Sequence, residues 1–195
     1  MIQDPYHPRA DRSVSGFDLT HLFSASGVSA LPFGKGKRWD PSNPIARYAV
    51  SNWRLSGIVS LYSGTPYYVT YSGDLANTGN TFVKADVIGN PRPAHPKPSE
   101  WINPSSFAPP LPYTFGTMGR NSLRSDWYKN LDLSLVRVFE ISSDLNLEFR
   151  VDAFNLTNTP VFAAPNHVIN TPAFGVVTST ANTPRELQLG LKLNF

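Results

Sequence analysis

The sequence contains no cysteine, so a disulfide scaffold and a thiolate metal site are both excluded. No apolar run approaches the ~18 residues that mark a transmembrane helix. Charge is scarce: 16% of the 195 residues are Asp, Glu, Lys or Arg, against about a quarter in ordinary globular proteins. The net charge is a mild +3, and the one dense basic run is GKGKR, Gly34 to Arg38. A nucleic-acid surface needs a broader basic stripe with interleaved aromatics. Nucleic acid is therefore not an expected partner, and the run reads as a solvated turn. The opening stretch MIQDPYHPRADRSVSG has no apolar centre of the signal-peptide kind. If the protein is exported, its signal is expected outside this sequence, which is then part of a longer chain.

Clusters that carry chemistry are equally thin. His7, His21, His95 and His167 stand apart from one another, with no second histidine at ligand spacing. That spacing gives no reason to expect a metal. GKGKRW lacks the layout of a phosphate-binding loop. Asn155-Leu156-Thr157 matches a glycosylation acceptor, read here as a coincidence at a strand end. No catalytic, cofactor or metal residue emerges, and the chain is not expected to be an enzyme.

What the chain does have is proline, 18 residues, together with 12% aromatics and 41% hydrophobic residues. That mixture favours strands joined by long proline-bearing loops. Strict alternation over four to eight residues marks a half-buried strand. In DLNLEFRVDA, Leu145, Leu147, Phe149, Val151 and Ala153 share one face and Asn146, Glu148, Arg150 and Asp152 the other. In RELQLGLKLNF, Leu187, Leu189, Leu191, Leu193 and Phe195 align against Glu186, Gln188, Gly190, Lys192 and Asn194. NLDLSLVRVF aligns Leu131, Leu133, Leu135 and Phe139, with Arg137 interrupting that face. NWRLSGIVSLY aligns Trp53, Leu55, Gly57, Val59 and Leu61, with Ile58 on the other side, and a weaker pattern starts at Phe17. These runs predict an all-β antiparallel meander of about five long strands, over about 17–31, 52–71, 128–139, 144–155 and 185–195. Two long connections are expected, over about 72–127 and 156–184, against a hairpin-length turn at EISSD.

Alternation alone does not say whether the apolar face meets a protein core or lipid. Four features favour lipid. The runs have the roughly 9–11 residues of a membrane strand, whereas soluble strands average about 5–6. Their apolar positions are mostly leucine, where soluble strands prefer β-branched residues. Aromatics sit at predicted strand ends, at Trp53, at Tyr67, Tyr68 and Tyr71, and at Trp127 and Tyr128, as in interface girdles. A strand at the C-terminus that must pair in lipid cannot fray. On this reading Glu148, Arg150, Asp152, Glu186 and Lys192 form a charge ladder around a wet lumen. Alternate strand residues lie about 7 Å apart, which suits a ladder better than an acid–base pair. Arg137 lies near a rim, where a long side chain can snorkel.

The ending of polar residue, glycine, hydrophobic residue and final aromatic resembles the C-terminal assembly signal of Gram-negative outer-membrane barrels. Gln188, Gly190, Leu193 and Phe195 fill its positions. LPFGKGKRW, WRLSGIVSLYSGTPYYVT, FGTMGRNSLRSDWYKNLDLSLVRVF, LEFRVDAFNLTNTPVF and GLKLNF together resemble the C-terminal end of TonB-dependent receptors, nearest the Oar-like barrels of acidobacteria. The resemblance implies a place in the cell outer membrane, as a C-terminal fragment of a barrel of about 22 strands. It implies as partners outer-membrane lipid, the barrel-assembly machinery and, only through a plug domain missing here, the TonB complex. Import of a ligand belongs to the intact parent. The alternative is a soluble secreted β-sandwich binding module, carbohydrate-type, using loop aromatics. Trp101, Phe107, Tyr113 and Phe115 are read as ligand contacts or as packing on one another.

Overall fold

A computed structural model describes residues 2–195. The chain divides into two compact units. Leu22–Leu61, Lys129–Pro160 and Thr183–Phe195 form a sheet unit. The stretch up to His21, with Tyr62–Tyr128 and Val161–Asn182, forms a loop unit.

The sheet has five strands: β1 (Leu22–Ala30), β2 (Trp53–Tyr62), β3 (Tyr128–Glu140), β4 (Asn146–Phe154) and β5 (Glu186–Asn194). Their spatial order follows the chain, an antiparallel meander with β1 and β5 at its edges. The all-β architecture is the one that the alternating runs dictate, and the strands are nine to 13 residues long. The strand expected over 17–31 begins only at Leu22. The one expected over 52–71 ends at Tyr62, and the first long connection accordingly starts at 63 rather than 72. Gly64 explains the stop. A Cβ placed there would lie 2.1 Å from the Ser125 carbonyl oxygen, so the chain turns out of the sheet where only glycine fits.

The connection between β1 and β2 holds a short helix that the strand patterns do not reveal, α1 (Pro44–Val50). Its start is nevertheless written in the sequence. Asn43 Oδ1 accepts hydrogen bonds from the amides of Ile45 at 2.9 Å and Ala46 at 3.2 Å, and Pro44 stands where a missing N–H is harmless.

The proline-rich connections build a core of their own. Val69, Ala85, Ile102, Phe107, Met118 and Leu123 are buried together. Short ladders brace them: Pro66–Tyr67 with Leu123–Arg124, Thr70–Ser72 with Phe82–Lys84, and Asp86–Val87 with Phe107–Ala108. Tyr67 and Tyr68 pack against this cluster, which corrects their expected place in an interface girdle. Burial also pushes the Tyr67 hydroxyl pKa far up.

The N-terminal stretch is tied into the same unit by polar contacts. Gln3 Oε1 accepts the Lys84 amide at 3.0 Å, and its Nε2 donates to the Gly116 carbonyl at 3.2 Å. Asp11 and Lys84 form an ion pair in which both side chains are buried, and the Gln3 amide also donates to Asp11. Burial by itself raises the Asp11 carboxyl, but the Lys84 ammonium and the Gln3 amide outweigh it and hold its pKa below the ordinary range. A depressed carboxyl stabilises the fold above its unfolded pKa, about 3.9, and loses that contribution as pH falls through the lower folded value. Asp11→Ala, which leaves Lys84 buried and unpaired, should destabilise the loop unit by about 3–5 kcal/mol. Limited proteolysis should show the N-terminal stretch released in that variant at neutral pH. In the wild type, release should come only below about pH 4.

Candidate functional site

The register of the last three strands sets the character of the sheet. Leu147 faces Leu193, Phe149 faces Leu191, Val151 faces Leu189 and Ala153 faces Leu187. On the other side of β4 the same four residues face Phe139, Arg137, Leu135 and Leu133. One apolar surface therefore runs unbroken across three strands except at Arg137. Among the described residues no second layer covers its edge: Leu189 is 72% exposed and Leu191 is 71% exposed. A sandwich would bury these side chains, and a lipid-facing strand exposes them.

The opposite face carries the predicted ladder residues. Glu148 is the partner of Lys192, Arg150 of Gly190, Asp152 of Gln188 and Phe154 of Glu186. Within β4, Arg150 and Asp152 form an ion pair at 2.8 Å. Opposite charges on adjacent strands at Glu148 and Lys192 match a favourable cross-strand pair. Val136 and Val138 share this face with them, so it is polar in part only. Of the assembly-signal positions, Gln188 and Gly190 lie on this polar face, Leu193 lies on the apolar one, and Phe195 is 98% exposed just beyond β5.

Arg137 does not snorkel. Its guanidinium is buried and clasped by the last turn of α1, donating to the Ala49 carbonyl at 2.6 Å and to the Tyr48 carbonyl. The final carbonyls of a helix lack intrahelical partners and carry the negative end of its dipole. Three rings surround the same cation, Phe139 with its centroid at 4.2 Å, Tyr48 at 4.9 Å and Trp53 at 5.7 Å. Trp53 also meets Phe149 edge-on at 6.2 Å. A charge on an apolar face is thus wrapped in carbonyls and π faces.

At the other ends of the strands, Tyr62 and Tyr128 stack at 4.3 Å, and Trp127 stacks on His21 at 6.0 Å. Asn155, at the predicted glycosylation match, is buried. It has φ +46°, a conformation that asparagine tolerates better than most residues. Its Nδ2 donates to the Thr183 carbonyl at 3.0 Å and its Oδ1 accepts the Thr159 amide at 3.1 Å. It clasps the end of β4, a role that a motif reading misses.

The loop aromatics have separate fates. Phe107 is in the core of the loop unit and meets Phe174 edge-on at 5.7 Å. Trp101 packs on Phe162 at 5.4 Å, while Tyr113 is exposed. Phe115 lines a cavity of about 390 Å³ with Tyr68, Asn80, Phe82, Lys84 and His167. Aromatic walls with a few polar groups are the usual make-up of a small-molecule site. Sequence spacing gave no sign of it, because its lining comes from five separate stretches of chain, Gln3 among them.

A family model described as an outer membrane beta barrel domain matches residues 1–188. No curated protein and no solved structure matches the chain. The uncovered leucine face agrees with that assignment and leaves no place for the secreted sandwich. The chain belongs to the outer membrane beta barrel domain family, and its location is the outer membrane.

Proposed function

We propose that this chain supplies the C-terminal strands of an outer-membrane TonB-dependent receptor of Oar-like type, which imports a ligand in the intact parent. The observation that carries the reading is the inequality of the two rims of the sheet. At one rim β3 and β4 are joined by a turn closed by hydrogen bonds from the amides of Ile141 and Ser142 to the Leu145 carbonyl, each 3.0 Å. At the other rim, the chain between β2 and β3 and that between β4 and β5 feed a unit with its own core and cavity. Outer-membrane barrels keep short turns on the periplasmic side and long loops outside. A structured outer loop unit with an aromatic-lined cavity is suited to holding a solute before import.

Five strands do not close a pore, since the smallest barrels have about eight. The unpaired edges of β1 and β5 are too costly in hydrocarbon. On this reading further strands of the same receptor, about 22 in all, pair with them. Gln188, Gly190, Leu193 and Phe195 are then read by the barrel-assembly machinery. The charges Glu148, Arg150, Asp152, Glu186 and Lys192 line the lumen, and coupling to the TonB complex runs through the plug domain of the parent.

Two measurements test the proposal. Leu189→Lys on the lipid face should weaken membrane insertion by about 2–4 kcal/mol, seen as loss from the urea-resistant outer-membrane fraction. Gln188→Lys on the opposite face should leave that fraction nearly unchanged. Equal effects of the two would remove the assignment of faces. Cross-linking in cells that express the intact parent should trap a TonB adduct. A parent that assembles in the outer membrane yet gives no adduct sinks the transport reading and leaves the barrel standing.

A further inference from the structure

The connection between β1 and β2 is unlike the short turn that shares its rim. Over residues 31–52 it carries four cations, Lys35, Lys37, Arg38 and Arg47, against one carboxylate, Asp40. Apolar bulk is exposed alongside them, at Trp39, Ile45 and Tyr48. Phe33 and Trp39 stack at 4.9 Å, and the Arg38 guanidinium lies 5.7 Å from the Trp39 centroid. Cations interleaved with interfacial aromatics are the composition of a segment that lies in a headgroup layer.

The same connection walls a cavity of about 370 Å³, lined by Lys35, Arg47, Tyr48, Arg137, Phe139 and Glu140. Arg137 is 6% exposed, and its Nε–H is buried with no hydrogen-bond partner among the described residues. The two hydrogen bonds it does make are to neutral carbonyls, and the rings around it carry no net charge. A buried cation is stabilised by a counter-charge or by further hydrogen bonds, and this one lacks both along one edge. Lys35 and Arg47 add positive charge at the cavity. Arg47 is partly neutralised by Asp40 at 2.5 Å, and Glu140 bears the one negative charge among the lining residues named. Arg137 and Phe139 both belong to the apolar face that runs on to Leu147 and Leu193.

We infer that this cavity seats the phosphate of an anionic phospholipid at the short-turn rim of the sheet. The headgroup phosphate lies between Lys35 and Arg47, over the buried Arg137 guanidinium that adds its charge to the cavity wall, and the acyl chains follow the Phe139 and Leu147 surface into the bilayer. Continuity with the lipid face decides the occupant. A soluble anion would satisfy the cations but would leave Trp39, Ile45 and Tyr48 in water.

The test rests on the proposed receptor and uses its intact parent in nanodiscs of phosphatidylcholine with and without phosphatidylglycerol, with bound lipid counted by native mass spectrometry after extraction. Wild type should retain phosphatidylglycerol over phosphatidylcholine. The double variant Lys35→Gln with Arg47→Gln should lose that preference by about thirtyfold, for two surface cations. A charge-matched control far along the chain, Arg9→Gln with Lys97→Gln, should keep it. Arg137→Gln should also lose it, and if that variant fails to assemble the Lys35 and Arg47 pair still decides. The inference is overturned if wild type shows no preference, if the control loses as much as the double variant, or if inorganic phosphate displaces the lipid completely.

Discussion

In hydrocarbon a backbone amide has no hydrogen-bond partner except another strand or its own helix. The sheet unit follows from that constraint. Its strands are long enough to cross a bilayer and are laid side by side in chain order, so the backbones of the three inner strands are paired on both sides. Pleating sends alternate side chains to opposite solvents. The leucines of β5 stand in register with Leu147, Phe149, Val151 and Ala153 of β4, which makes the outer surface continuous. Chain that cannot keep regular strand geometry is excluded from such a sheet, and its backbone must be satisfied by water or by other protein.

That exclusion accounts for the loop unit. A stretch with so many prolines cannot form a sheet interior. It still closes around Val69, Ile102 and Met118 because short ladders supply pairing wherever two or three non-proline residues meet. The buried Asp11–Lys84 pair adds a different element. Such pairs contribute little net stability relative to apolar packing, but they punish misplacement, because either partner alone is a buried charge. Here the pair joins the N-terminal stretch to a residue more than seventy positions along the chain.

Arg137 shows the same logic inside the lipid-facing unit. An arginine among Leu135, Phe139 and Phe149 breaks the surface pattern. The compensation comes from a seven-residue helix whose last carbonyls face the guanidinium, Tyr48 sharing its oxygen with the Ser51 amide and Ala49 with the Trp53 indole N–H. Each feature makes the other tolerable: the helix end gains a cation, and the cation gains oxygen atoms without reaching bulk water. The basic, aromatic connection that delivers the helix thereby becomes part of the membrane-facing surface.

Alternation was enough to place β3, β4 and β5, since a period of two over nine or more residues survives any tertiary context. It also separated the leucine face from the charged one, while strand length and leucine content, not alternation, favoured lipid as the solvent of the former. The end of β2 at Tyr62, the helix α1, the clasp at Asn155 and the loop cavity were settled otherwise. Gly64 stops a strand because Ser125 comes within touching distance, and residues sixty apart in sequence carry no local sign of that meeting. Arg137 reads as an interruption until the Tyr48 and Ala49 carbonyls are brought to it across almost ninety positions. Local periodicity records which face of its strand each side chain joins. Contacts between distant segments depend on how the connections fold back, and that is decided by packing and hydrogen-bond closure in three dimensions.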